Sequence, residues 1–218
     1  MDIIKAMEVR HSVRQYLDRK IPGDIIEELK KEIEICNQEA GLHIQLVTDE
    51  KDAFSGMMAH YGKFDGVQNY IALIGTKGKK LDETIGYYGE RIVLKAQQLG
   101  LDTCWVAMTF SKRKCRVKIN KGEKMVCVLS LGYGKTQGIS HKSKDIRELC
   151  DFEGDMPDWF KRGMEAAVLA PTAMNQQKFM ISLKNDTVSA KKTGGFYSNV
   201  DLGIVKYHFE IGSGRGLI

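Results

Sequence analysis

Ten residues into the chain stands the string Arg10-His11-Ser12-Val13-Arg14-Gln15-Tyr16, two guanidinium groups and a hydroxyl within five positions. Arginine's planar, permanently charged fork matches phosphate oxygens bidentately, and a serine hydroxyl adds a neutral donor and acceptor at the edge. Read as part of a helix that begins near Asp2 and buries Ile3, Ile4 and Met7, the string puts Arg10 and Arg14 four apart on one face with Ser12 between them. The three groups can then converge on one anion, and a phosphate ester is the natural candidate. The competing reading is a solvated helix end whose arginines favour the helix's own C-terminal dipole. The string alone leaves both open.

Three further stretches carry groups suited to a ligand. Ala170-Pro171-Thr172-Ala173-Met174-Asn175-Gln176-Gln177 falls between a helical and a strand-like segment, where proline and small residues expose backbone groups and the amides hydrogen-bond with both faces. Such a loop can read the edge of a planar heterocycle, or it can satisfy only its own backbone. Leu99-Gly-Leu-Asp-Thr-Cys-Trp-Val-Ala-Met-Thr109 follows a helix with a glycine stop and then small and apolar residues, so its backbone donors can face a ligand; Trp105 can equally pack in the core. His141-Lys142-Ser143-Lys144 adds two cations and a hydroxyl, on its own an ordinary solvated charge run.

Metal and thiol chemistry find less support. His11, His43, His60, His141 and His208 form no ligand-type pair on a helix, so no metal site is expected. Cys36, Cys104, Cys115, Cys127 and Cys150 are odd in number and widely spaced, which argues against a disulfide framework. Cys104, beside Trp105, is the best placed as a nucleophile, yet no histidine or acid nearby would activate it, and burial is the favoured reading.

The elements that must position these groups follow from periodicity. Pro22 opens a helix over residues 23–38. Residues 43–47 alternate as a strand, and residues 70–74 form a short buried run stopped by Gly75. Ile85, Ile92, Val93, Ala96 and Leu99 mark a long helix over residues 82–99 that ends at Gly100. Residues 103–109 and 124–132 read as strands, with a basic helical turn over 111–117 between them. Residues 135–144, rich in basic and small polar residues, read as a hinge. Beyond it come a helix over 157–170, a strand over 178–183 and a helix over 200–211. The second block looks like a shorter edition of the first. Asn37-Gln38 and Asn175-Gln176 each follow a helix, and Gly89, Ile92-Val93 and Lys95 match Gly203, Ile204-Val205 and Lys206. An N-terminal half over 1–150 and a C-terminal half over 151–218, packed as one globular unit, are expected.

Composition narrows the function class. The chain has 218 residues, 43% of them hydrophobic, enough for a sizeable core. Its 33 Lys+Arg against 28 Asp+Glu leave a net charge of +5 spread along the sequence, which favours an anionic small ligand over nucleic acid. The basic stretch Lys112-Arg113-Lys114, Arg116, Lys118 and Lys121 has no interleaved aromatics and fits a solvated face better than a polyanion site. No signal core or membrane-length apolar run is visible, so a cytoplasmic protein with no membrane partner is expected.

Taken in order, the Arg-x-Ser-x-Arg start, the Gly-Leu-Asp-Thr-Cys-Trp turn, the Leu-Gly-Tyr-Gly strand end with trailing lysines, and the Ala-Pro-Thr-Ala-Met-Asn-Gln-Gln loop resemble the FMN-dependent nitroreductase family over nearly the full chain. In ordinary members the Pro-Ser-x-x-Asn-x-Gln element follows the first two helices; here its best copy begins at Pro171. That departure is similar to the branch in which one chain holds two pseudo-symmetric halves. The resemblance implies an α+β, nitroreductase-like fold: a central, mostly antiparallel sheet flanked by helices, with an internal pseudo-dyad. It implies that Arg10, Ser12 and Arg14 cradle the FMN phosphate and ribityl oxygens with His11 nearby, and that Lys142 and Lys144 close on the phosphate. It also implies that the backbone at Ala107 and Met108 meets flavin N5 and O4, and that Pro171, Thr172, Ala173 and Asn175 approach the isoalloxazine ring. Ala107-Met108 departs from the Glu-Gly or Gly-Gly pair common in the family.

The implied activity is FMN-dependent NAD(P)H oxidation. Hydride would pass through flavin N5 in a ping-pong cycle to a nitroaromatic, a quinone or a flavin, with no catalytic side chain required. The alternative is a non-catalytic FMN or nucleotide carrier or sensor. The chain is expected to act as a monomer mimicking the family dimer, or as a homodimer.

Overall fold

The apolar run at residues 70–74 becomes the middle of a sheet. In the computed structural model, which describes residues 1–152 and 154–218, the helices are α1 (Ile3–Val9), α2 (Gly23–Ala40), α3 (Met57–Tyr61), α4 (Leu81–Gln98), α5 (Asp158–Ala167) and α6 (Ser198–Ser213). The strands are β1 (Gln45–Val47), β2 (Asn69–Thr76), β3 (Asp102–Val106), β4 (Glu123–Gly132), β5 (Phe179–Lys184) and β6 (Thr187–Lys192). The fold is α+β, with β1-β2-β4-β3 and β5-β6 as two antiparallel sheets. By its contacts the chain forms two compact units: residues 10–81 with 92–140, and residues 1–9 with 82–91 and 141–218. Neither unit is continuous in sequence. Among the described residues no helix is long and apolar enough to cross a membrane.

The first unit holds the four-stranded sheet. β2 and β4 lie at its centre and are buried almost throughout, which explains their near-continuous apolar sequences. Their register places Tyr70 opposite Ser130, and β3 places Cys104 opposite the same serine. β3 is an edge strand. An aromatic cluster of Phe54, Phe64, Tyr70 and Phe110 fills the core, with Phe54 and Phe64 edge-on at 5.2 Å. α2 buries Leu29, Ile33 and Cys36 and stops where Gly41 takes the left-handed conformation. β1 is shorter than the expected 43–47 strand, although the His43 N–H already bonds Ile74 O at 2.9 Å.

The second unit is built around α6, which is buried on nearly all sides, its polar residues Asp201 and His208 included. Gly212 brings α6 against α5 at Ala166, and the face of Gly163 is filled by the Phe209 ring. The first half of α4 crosses α6 at Gly86 and Gly203. A Cβ on Gly86 would overlap Val200 O, and one on Gly203 would overlap Glu83 O. The contact is locally two-fold, since Glu83 and Gly86 stand to Val200 and Gly203 as equivalent pairs. Gly86, rather than Gly89, therefore stands opposite Gly203. Around the crossing lie Lys206–Glu83 at 2.7 Å and the fully buried His208 Nε2–Glu90 Oε1 pair at 3.0 Å. β5 and β6 form a hairpin whose turn residues, Asn185 and Asp186, both have positive φ, the conformation a two-residue hairpin loop demands.

Candidate functional site

The leading Arg-x-Ser-x-Arg string is not helical. α1 ends at Val9, and Ile4 is exposed while Ala6 and Met7 are buried. From Arg10 the backbone runs extended along the free edge of the sheet. Ser12 bridges Thr103 in parallel, Val13 N–H donates to Thr103 O at 3.0 Å, and Tyr16 N–H donates to Asp65 O at 3.0 Å. These tertiary bonds to an edge strand outweigh local helix propensity. The three side chains still share one side, because extended backbone sends alternate residues to the same face. Arg10, Ser12 and Arg14 gather about Cys104 of β3: burial pushes that thiol up, against the pull of Arg14, the Ser12 hydroxyl and Arg10. Cys104 itself is buried.

Burial separates the two arginines. Arg10 is only 3% exposed, whereas Arg14 reaches into an open cleft of about 370 Å³. Ala107 lines the same cleft, with Lys63, Thr109 and the aromatic side chains of Tyr61, Phe64 and Trp105. The Arg14 guanidinium lies 6.0 Å from the centroid of the Phe64 ring. The lining thus combines two cations and three aromatics with no carboxylate. Tyr61, 80% exposed, comes from α3, a short helix that periodicity over five residues is too brief to reveal. His11 is half-buried against Gly138, where φ is +72° and a side chain would collide with His11 Cβ. Met108 is exposed at the turn after β3.

In the other unit the remaining expected residues come together through Gln177, which the sequence places in the same amide-rich loop but to which the resemblance assigns no contact with the cofactor. Gln177 is 3% exposed, and its amide is fully engaged. Its Oε1 accepts Lys144 N–H at 2.8 Å, and its Nε2 donates to Lys142 O and to Asn175 Oδ1, both at 2.9 Å. Asn175 Nδ2 donates to the same Lys142 O at 3.0 Å, and Lys144 Nζ returns to Gln177 O at 3.3 Å. The Thr172 hydroxyl accepts Gln177 N–H at 3.0 Å. The loop after Pro171 and the Lys142–Lys144 segment are therefore one hydrogen-bonded assembly. The His141 ring and Ser143 hydroxyl both bond Val168 O, at 3.0 and 3.1 Å, which fixes the other side of that segment.

This loop is held against local preference. Met174, Asn175 and Gln177 all have positive φ, between 45° and 54°; such conformations cost most non-glycine residues about 1–3 kcal/mol each, less for asparagine, and persist where surrounding contacts offset that cost. Met174 stands at the tip, 94% exposed. From α6, Asp201 Oδ1 accepts Ala173 N–H at 2.9 Å and Oδ2 accepts Gln176 Nε2 at 2.6 Å. Burial pushes the Asp201 carboxyl up to about 6, against the pull of Gln176 and the Ala173 N–H. A single acid inside the apolar run Val200-Asp201-Leu202 was the signal that could have singled it out. Among the described residues, no cluster of His, Cys, Asp or Glu is arranged to hold a metal ion.

Comparison with known proteins gives this arrangement relatives. A family model described as "Putative TM nitroreductase" matches residues 2–213. Among solved structures, a "putative nitroreductase" from Thermotoga maritima superposes with a TM-score of 0.68 at 23% identity, covering 97% of this chain and 83% of that one. A "putative nitroreductase" from Desulfovibrio desulfuricans, crystallised in complex with FMN, gives a TM-score of 0.54 at 13% identity over 72% of this chain and 99% of its own. A nitroreductase family protein from Streptococcus pneumoniae TIGR4 gives 0.54 at 13% identity over 71% and 100%. At these identities the structural likeness is one of fold. No match is found among curated proteins.

Proposed function

Because the chain belongs to the nitroreductase family, we propose that it is an FMN-dependent oxidoreductase, drawing on NADH or NADPH and reducing a nitroaromatic, quinone or flavin in a ping-pong cycle. The observation that carries this reading is the cleft lined by Arg14, Lys63, Tyr61, Phe64 and Trp105. Cations and aromatic faces without a carboxylate suit a planar molecule that bears negative charge, and FMN is such a molecule. When bound, FMN supplies the redox chemistry itself.

The chain's own residues hold and orient it. Arg10, Ser12 and Arg14 are assigned to the phosphate and ribityl oxygens, with His11 beside them; Lys142 and Lys144 add charge. Backbone groups of Ala107 and Met108, and the loop of Pro171, Thr172, Ala173 and Asn175, are assigned to the ring. Asn175 already engages both its amide atoms on Lys142 and Gln177, so its part is to shape the loop, leaving backbone donors to face the ligand. The locally two-fold crossing of α4 and α6 supports the reading of two pseudo-symmetric halves.

The test is the absorption of the purified protein, reconstituted with FMN if colourless, followed in the same cuvette by NADH or NADPH under nitrogen and then by nitrofurazone or a quinone. A flavin band that bleaches with reductant and returns with acceptor is expected. Bound flavin that responds to neither would make the chain a carrier, and a protein that cannot take up FMN would remove the reading altogether.

A further inference from the structure

We propose that Asp201 is the positioning residue of this site, its carboxylate fixing the 171–177 loop and, through Gln177, the backbone of the Lys142–Lys144 segment. The inference rests on the FMN reading only for what the loop serves; the mechanical link is independent of it. Both carboxylate oxygens face the loop, one on the Ala173 N–H and one on Gln176 Nε2. Gln176 is fixed from the other side as well: Nε2 also donates to Phe196 O at 2.7 Å, and its Oε1 lies so close to Gly195 that a Cβ there would overlap it. The amide therefore has one workable orientation, with its NH₂ toward Asp201.

Three consecutive features make the anchor necessary. The loop carries non-glycine residues at positive φ, its tip is exposed, and its inward residue, Gln177, has both side-chain polar atoms committed to Lys142, Lys144 and Asn175. A loop of this kind relaxes when its anchor is removed, and the lysine segment bonded to it relaxes as well. Burial raises the carboxyl to about 6, so near neutral pH Asp201 is an anion in a largely dry setting. The Gln176 amide and the Ala173 N–H are the groups that offset its burial.

Asp201→Asn tests the link. The new amide can still accept from Ala173, but its NH₂ would face the NH₂ of Gln176, and Gln176 cannot turn without placing Oε1 against Phe196 O. The readout is amide hydrogen exchange, corrected for intrinsic rates, at Ala173, Gln176, Gln177 and Lys144, with Val205 and Phe209 of α6 as internal reference. Exchange at the four loop-linked amides should rise at least tenfold while the α6 reference holds, and the FMN dissociation constant should rise at least tenfold. Unchanged protection at Gln177 and Lys144 would overturn the proposal. So would a responsive loop with unaltered FMN affinity, since positioning would then serve no site. A wild type that binds no FMN, with exchange responding as expected, removes the FMN reading and leaves the mechanical link standing. Should Asp201→Asn fail to fold, Gln176→Ala removes one of the two contacts from the exposed side and should raise the same exchange rates by a smaller factor; no rise there would overturn the link.

Discussion

Arg10 and Arg14 stand two alternate positions apart on one extended segment, yet their burial predicts different failures. Arg14 is exposed in the cleft, so Arg14→Ala should leave the urea midpoint within error and weaken FMN binding by roughly 10- to 150-fold, the equivalent of losing a charge-assisted contact of about 1.5–3 kcal/mol. Arg10 is buried, and Arg10→Ala should lower both FMN affinity and folding stability. Fluorescence titration of FMN together with a urea melt separates the two effects; equal destabilisation by both variants would contradict this. Tyr16 gives a purely structural comparison. Its buried hydroxyl donates to Val13 O at 2.7 Å and shares a hydrogen bond with Ser130 Oγ at 2.8 Å. Burial pushes the phenol well up, so it remains neutral and donating at ordinary pH. Tyr16→Phe should cost about 1–2 kcal/mol in a urea melt through the acceptors left dry, with FMN affinity unchanged.

At the level of elements, the α4–α6 crossing depends on two glycines whose missing side chains let backbones touch. Gly203→Ala would drive a methyl into Glu83 O, and Gly86→Ala would drive one into Val200 O. Each should lower stability by about 1–3 kcal/mol or more in chemical denaturation. The local two-fold predicts similar penalties for the pair, and a neutral outcome at either position would mean the helices can separate freely. Elements of this kind were legible where sequence pattern and burial coincide: α2, β2, α4 and β4 emerge within two residues of their apolar runs. The hairpin partner β6 was missed although Asn185-Asp186 is a turn signal, because its strand alternates weakly and ends in lysines. Residues 10–14 were misread as helix because their conformation is set by Thr103 and Asp65, far away in sequence. The candidate site was half-visible for the same reason. The arginines and lysines cluster in short strings of sequence, whereas Gln177 and Asp201 acquire their roles from partners at Lys144 and Ala173, 33 and 28 positions away.

For the whole molecule, stability against pH is a sum of opposed titrations, and Asp201 should stand out by its sign. Glu123, hydrogen-bonded to His43 at 2.9 Å and to the Asn120 N–H, is held below the ordinary carboxylate range. Its contribution is present above that range and is lost as pH falls through the lowered value. Asp201 runs the other way. Its carboxyl is pushed from 3.8 up to about 6 in the folded protein, so between those values the native state keeps a proton that the unfolded chain has released. Stability must then fall as pH rises from about 4 to about 6, by up to about 3 kcal/mol for a two-unit shift, and level off above. In Asp201→Asn that slope disappears while every other titration remains. The difference in unfolding free energy between variant and wild type, measured by urea denaturation from pH 4 to pH 7, should therefore move in the variant's favour by about 3 kcal/mol across the window. A constant offset would show that the carboxyl titrates alike in both states, and hence that its burial in α6 carries no electrostatic cost for the loop contacts to offset.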